Sequence, residues 1–377
     1  MYYKNARIYT SDHKFHLGCF EVTDDGRFGE VLPGREPEDA YDLEGATVIP
    51  GLIEVHSHGN SGYDFSDGDY EGLKKMAAYY LSCGVTSFAP ASMPLPYETL
   101  EKAFGTARQL VDEDPAGCAK LRGIQMEGPY FSYKKKGAQN ADYLKDPDFE
   151  GFKKLYDSCG GLVRIVDVAP ELPGAADFIR QASKLCTVSV AHTDSDYEHA
   201  RTAFASGATH LTHLYNAMPG INHRNPGVIP AAAECPHVRA EIICDGLHIH
   251  PAAIRLAFSM FGGERMILVS DSGRCAGQPD GTEFELGGQM AKVIDGVARL
   301  ADGTIACSAT NLWQCLVNTI SFGVKEEDVI RACTFNPACA LGVQGEVGSI
   351  APGKIADFVV CSPDYTKKRV YLAGKQI

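Results

Sequence analysis

Two histidines one residue apart, His56 and His58, close the apolar run 50–59, PGLIEVHSHG. In an extended strand the side chains at i and i+2 leave the same face, so both imidazoles can point at one ion while Ile53 and Val55 pack beneath them. Neutral imidazole is the commonest protein ligand for zinc and similar metals, and two together make half a site. Residues able to complete such a site recur further along, always in one position. Glu127 follows the apolar run 121–126, His192 follows 186–191 and His213 follows 208–212. His248 follows 238–244 within the segment DGLH, and Asp271 follows 266–270. A lone histidine after a strand is ordinarily a hydrogen-bonded structural residue, but acid or imidazole groups at five strand ends share a phase that scattered core residues lack. His210 lies three residues before His213, so it faces the other way and reads as structural. His13, His16, His199 and His237 fall in loops or on polar faces and take no role. His250, just before Pro251 where a helix begins, is left unassigned.

The apolar runs that carry these groups are 51–55, 84–89, 121–126, 162–168, 186–191, 208–212, 238–244 and 266–270. Helix-like segments lie between several of them, at 70–82, 97–111, 174–185, 196–206 and 252–261. Eight strands alternating with helices imply a parallel sheet with right-handed crossovers, closed as an α/β (β/α)8 TIM-like barrel; a doubly wound open sheet is the alternative. In a barrel all five strand ends meet at one rim, where barrel enzymes keep their chemistry. The first fifty residues differ in texture: polar and apolar residues alternate between Asp25-Gly26 and Pro33-Gly34 turns, with no helix. That texture returns only at 348–361 and 369–374. The two ends are therefore expected to form one small β-sandwich domain, 1–49 plus 346–377, beside a barrel of 50–345. The Gly-rich run 287–305 reads as a hairpin inserted after the eighth strand.

With 377 residues, 45% of them hydrophobic, the chain can bury a large core. A formal charge of −13 disfavours nucleic acid and anionic membrane surfaces, so any phosphate site must be local. Thirteen cysteines without a Cys-x-x-Cys pair, and an N-terminus lacking a charged-then-apolar export signal, imply reduced thiols and a cytoplasmic location. No segment has the 18 or so apolar residues of a membrane span.

The segments Pro50–Gly59, Glu127-Gly-Pro129, Ala191-His-Thr193, THLYNAM at 212–218, Arg224-Asn-Pro-Gly227, Asp245-Gly-Leu-His248 and Ser270-Asp271 resemble the N-acetylglucosamine-6-phosphate deacetylases of the amidohydrolase superfamily. The resemblance covers nearly the whole chain, and the order and spacing of seven motifs make it specific. It implies a principal divalent metal held by Glu127, His192 and His213, leaving a position open for water. It implies that His56 and His58 can hold a second ion with the glutamate bridging, the metal being zinc or else iron, manganese or cobalt, one or two per chain. Asp271 would take the proton from water and pass it to the departing amine. His248 would hold the acetamide side of the sugar. Asn216, the Ala217 backbone and Arg224 would bind phosphate by charge-assisted hydrogen bonds, with Arg224 reaching the neighbouring subunit of a homodimer. Ala138, Ala306 and Cys307 would line the sugar.

Two departures from the family pattern stand beside that sugar site. Gln139 replaces the usual imidazole after the Glu-Gly-Pro loop, an amide that can donate and accept but cannot titrate. Cys307 stands for a usual glycine, and Ser272-Gly-Arg274 replaces a more apolar stretch. The expected activity is hydrolysis of N-acetylglucosamine 6-phosphate to glucosamine 6-phosphate and acetate. The alternatives are the galactosamine epimer, another amidohydrolase, or a silent amino-sugar-phosphate binder. Dihydroorotases and hydantoinases normally bridge metals with a carboxylated lysine, where this chain has Glu127. A silent binder has no reason to keep Asp271 with a full ligand set.

Overall fold

The computed structural model describes residues 1–35, 37–286 and 289–377. Its centre is a succession of parallel strands, Leu52–Glu54, Val85–Phe88, Ile124–Tyr130, Val163–Val168, Thr187–Val190, His210–Leu211, Arg239–Ile243 and Met266–Val269. From the third to the eighth, each pairs with the next in one six-stranded parallel sheet. The first two pair in a separate sheet with the short strand Lys120–Leu121. A bridge between Ala91 and Gln125 joins the second strand's end to the third. At the other side, Asp271 N donates to His56 O at 3.0 Å and His58 N to Ser272 O at 2.8 Å, tying the eighth strand's end to the first.

Helices Tyr70–Ser82, Tyr97–Glu113, Phe149–Ser158, Ala175–Ala182, Tyr197–Ala205, Val228–Ala233 and Pro251–Phe261 connect the strands, and Leu312–Ser321 follows the eighth. Tyr70–Ser82 shows why they form. Asp69 accepts from Glu71 N as the cap, and Leu73, Met76, Ala77, Tyr80 and Leu81 repeat at helical spacing on the buried face. Burying each large apolar side chain contributes about 1.5–3 kcal/mol. His250 caps Pro251–Phe261 by accepting from Ala252 N.

The two chain ends share one eight-stranded sheet. Thr47–Pro50 sits between Tyr2–Tyr9 from the start and Phe358–Cys361 from the end. Its core is aromatic: Tyr3 stacks on Phe20 at 5.1 Å and Phe358 on Tyr371 at 4.3 Å. Gly51 then passes the chain directly into the first parallel strand, where a Cβ would lie 2.1 Å from Thr86 Oγ1.

Two expectations need correction. Glu127 does not follow the third strand but lies within it, because the strand runs on through Gly128 and Pro129 to pair Tyr130 with Val168. The insertion is larger than a hairpin over 287–305: it is a four-stranded antiparallel sheet of Glu283–Leu286, Gln289–Ile294, Val297–Leu300 and Ile305–Ser308. Gly287 and Gly288, where the expected hairpin begins, lie outside the described residues. Among the described residues no helix is long and apolar enough to cross a membrane.

Candidate metal centre

Six side chains, Glu127 from within the third strand and the others from just past the ends of the first, fifth, sixth and eighth, converge in two groups of ligand atoms. One is Glu127, His192 and His213, and the other is His56, His58 and Asp271. Glu127 stands between them. Its Oε1 is 3.1 Å from His192 Nε2, 3.2 Å from His213 Nε2 and 3.5 Å from His56 Nε2, while its Oε2 is 3.3 Å from His58 Nε2. Asp271 Oδ1 lies 3.5 Å from His58 Nε2 and 3.7 Å from His56 Nε2.

Backbone geometry aims these groups. His192, His213 and Asp271 all have positive φ, at 44°, 34° and 45°. A non-glycine residue in that region costs on the order of 1–3 kcal/mol and persists only where its surroundings enforce it. Each strand thus ends in a sharp left-handed turn at the residue that carries the reactive group.

The outer nitrogens of three imidazoles are committed to acceptors. His56 Nδ1 meets Glu241 Oε2 at 2.8 Å, His58 Nδ1 meets Ala91 O at 3.2 Å and His192 Nδ1 meets Lys135 O at 2.9 Å. With the proton on Nδ1, each ring turns a lone pair inward on Nε2. His192 and His213 Nε2 then face each other at 3.1 Å, and buried His56 Nε2 has no hydrogen-bond partner among the described residues. Inward lone pairs around one buried carboxylate repel unless a cation sits among them, so the donor set fits a divalent ion. Burial would raise the Glu127 pKa, but without an ion in the cluster, protons taken up on the inward nitrogens of His192 and His213 would bond Glu127 and hold its carboxyl well below the usual carboxylate range.

The other expected site residues make contacts of their own. His248 is held by Asp245, Nδ1 to Oδ2 at 2.6 Å; burial works against its charged form, yet the Asp245 bond raises its pKa. Asn216 turns its amide onto the carbonyls of His213 and Leu214, and Ala217 O accepts from Thr193 N. Ala138 O accepts from Gln289 Nε2 at 2.7 Å, which docks the inserted sheet on the loop beside the cluster. Ala306 and Cys307 lie in the last strand of that sheet, with Cys307 Sγ 3.9 Å from Cys275 Sγ. Arg224 is exposed, and among the described residues no ion pair or side-chain hydrogen bond connects it to the cluster.

Two functional neighbours were not anticipated in their contacts. Gln139 Nε2 donates to Glu127 Oε2 at 2.9 Å, so the amide replacing the family imidazole reaches the central carboxylate. Glu241, 0% exposed, lies in the seventh strand and bonds His56, His210 and the His213 backbone. Burial would raise its pKa, but His56 and His210 pull it to about 2. Its one sequence signal is a charge in the middle of the apolar run 238–244.

Residues 47–377 match the amidohydrolase family. The N-acetylglucosamine-6-phosphate deacetylase of Bacillus subtilis is 35% identical over 370 residues, covering 96% of this chain and 93% of that protein. The N-acetylgalactosamine-6-phosphate deacetylase of Escherichia coli is 31% identical over 366 residues, covering 97% and 94%. A mutant N-acetyl-D-glucosamine-6-phosphate deacetylase from Mycobacterium smegmatis, solved in complex with N-acetyl-D-glucosamine-6-phosphate, superimposes with a TM-score of 0.93 at 31% identity, covering 100% of this chain and 98% of that one. With this agreement over its whole length, the chain belongs to the amidohydrolase family, among its N-acetylglucosamine-6-phosphate deacetylases.

Proposed function

We propose that this chain is a divalent-metal-dependent deacetylase that hydrolyses N-acetylglucosamine 6-phosphate to glucosamine 6-phosphate and acetate. The observation that carries the reading is the pair of ligand groups converging on Glu127 with Asp271 at their edge. Glu127, His192 and His213 would hold the principal ion, zinc by their donor set, and His56 and His58 can hold a second. When bound, such an ion would supply Lewis acidity to the acetamide and to water near neutral pH. Asp271 accepts the proton of the attacking water and delivers it to the amine nitrogen as the C–N bond breaks. His248, steadied by Asp245, holds the acetamide side, and Ala138, Ala306 and Cys307 line the sugar. Asn216, the Ala217 backbone and Arg224 take the phosphate, with Arg224 acting in the partner's site of a homodimer. Its exposure, with no ion pair among the described residues, supports that role.

The architecture we infer is a closed (β/α)8 barrel over residues 50–345 and a small β-sandwich from 1–49 and 346–377. The bonds between the first and eighth strand ends support the closure. Buried free thiols such as Cys244, Cys315 and Cys333 suit the reducing cytoplasm.

The activity for which the E. coli relative is named, together with Gln139 and Cys307 beside the site, supports the galactosamine epimer as the second reading. Acetate release from the two epimeric sugar phosphates, with metal content measured on the same sample, separates them. The gluco epimer should show the higher kcat/KM. A higher value for the galacto epimer installs the second reading, and metal-loaded protein that releases acetate from neither removes both.

A further inference from the structure

One buried carboxylate receives hydrogen bonds from both ligand groups. Glu241 Oε2 is 2.8 Å from His56 Nδ1 and accepts from His213 N at 3.3 Å, while Oε1 is 2.9 Å from His210 Nε2. Its own carbonyl accepts from Leu214 N at 2.8 Å. The side chain thus grips the imidazole of one ligand group, and its oxygen and carbonyl together pin the turn that presents a ligand of the other. Glu241 touches neither reacting atoms nor the inward-facing nitrogens.

We infer that Glu241 is a positioning residue that sets the His56 proton on Nδ1 and assembles the two ligand groups as one unit. The inference rests on the metal-centre reading above and deepens it. A bare acceptor would satisfy the N–H groups, but a carboxylate also strengthens His56 as a donor through the proton they share. The coupling is unequal. At His56 the bond falls on the ring itself, which must keep a lone pair on Nε2, whereas at His213 it falls on the backbone. His210 gains a function that its place in the sequence hides: it takes the second oxygen and keeps the carboxylate from rotating.

Glu241→Gln isolates the charge. The amide oxygen can still face His56 and His213 while the NH2 turns to His210, whose ring can present its lone pair by taking the other tautomer. Loss of an outer partner of a metal-ligating histidine costs about 10–100-fold in affinity. Because Gln keeps the geometry, the expectation lies near the lower figure, on the His56 group alone.

The test measures Co²⁺ affinity by equilibrium dialysis in two backgrounds. His192→Ala leaves the His56, His58 and Asp271 group, and His58→Ala leaves the other. Adding Glu241→Gln should raise the Kd about tenfold or more in the first background and less than about threefold in the second, with the unfolding midpoint of metal-free protein unchanged. An unchanged Kd in the first background overturns the inference while leaving the metal centre standing. Equal losses in both, accompanied by a lower unfolding midpoint, reduce Glu241 to a structural role and also overturn it. No Co²⁺ uptake by His192→Ala with Glu241 intact removes the second ligand group itself, and the inference with it. Should Glu241→Gln fail to fold, the ring ¹⁵N shifts of His56 in metal-free wild type at pH 8 decide: a proton on Nδ1 sustains the inference and one on Nε2 overturns it.

Discussion

Replacing Asp271 with Asn separates its two candidate roles, because the structure lets the amide sit where the carboxylate sat. Asp271 has φ 45°, a region that Asn tolerates better than other non-glycine residues, so no strain is added. Its backbone bonds, N to His56 O and O from Ser308 N, do not involve the side chain. What changes is chemical: an amide cannot accept a proton from water or return one to nitrogen. Asp271 Oδ1 stands 3.5 Å and 3.7 Å from the inward nitrogens of His58 and His56, close enough to serve the reacting centre directly. General acid–base catalysis is worth about 10²–10⁴ in rate, or roughly 3–5 kcal/mol of barrier. Because an amine cannot leave unprotonated, the expectation lies at the upper end. Steady-state acetate release should show kcat down by that factor with KM little changed, and plasma emission should show unaltered metal content. A variant within tenfold of wild type refutes the proton-carrying role. A variant that has lost an ion shows that Asp271 serves chiefly as a ligand of the His56 group.

Chelation should abolish turnover, and His192→Ala or His213→Ala should empty the principal site, as metal analysis of the purified variants would show; full metal content in either variant would remove that residue from the ligand set. Arg224→Ala should raise KM for the phosphorylated sugar about ten- to a hundredfold, the loss of a charge-assisted bond of about 1.5–3 kcal/mol, and leave unphosphorylated N-acetylglucosamine nearly unaffected; equal losses on both sugars would refute the phosphate role. If Arg224 serves the partner's site, mixing Arg224→Ala with Asp271→Asn chains should restore about a quarter of wild-type activity, since half the dimers then hold one complete site; no restoration places Arg224 in its own subunit's site. Asp357 is a stability probe. Burial raises its pKa from 3.8 to about 6, and Ala373 N donates to its Oδ1, an oxygen that Asn retains. Its ionisation is therefore harder in the folded chain, and stability falls as pH rises from about 4 to about 6. The cost is fully present above that window and reaches about 3 kcal/mol. Asp357→Asn should raise the unfolding midpoint at pH 8 and leave it unmoved at pH 4; equal shifts at both would refute the linkage.

How far the site was legible depended on what each residue's neighbours could signal locally. Helix 70–82 was readable to the residue because Asp69 caps it and Cys83-Gly84 stops it, both within one turn. The phase of His192, His213 and Asp271 was readable because apolar runs end beside them. Glu127 was placed one step too late because Gly128-Pro129 reads as a breaker, while pairing of Tyr130 with Val168 carries the strand through it. The inserted sheet was underestimated for a related reason: Glu283–Leu286 alternates charge with apolar residues and declares itself a strand only through its pairing with 289–292. Glu241 and Gln139 were the hardest. A glutamate in an apolar run announces a buried charge but not its partners, which here come from 185 and 31 residues away. Gln139 could be recognised as an unusual residue, whereas its bond to Glu127 depends on how the loop folds back over the third strand.

The sheet made from both chain ends has a consequence for how the enzyme is born. Thr47–Pro50 leads through Gly51 into the strand Leu52–Glu54 that His56 and His58 follow, and it is flanked on one side by Phe358–Cys361, more than 300 residues downstream. A ribosome adds about 5–20 residues per second, so this edge waits open for at least some 15 seconds before its partner emerges. Its row of unpaired backbone groups is during that time a template for another chain. Loop closure over such a distance also belongs to the slow class of folding events, because the entropic cost comes before the contacts that reward it. His56 and His58 thus gain their final support from a strand made some 300 residues later, so a chain cut short before Phe358 leaves the ribosome without the partner of the strand that leads into them.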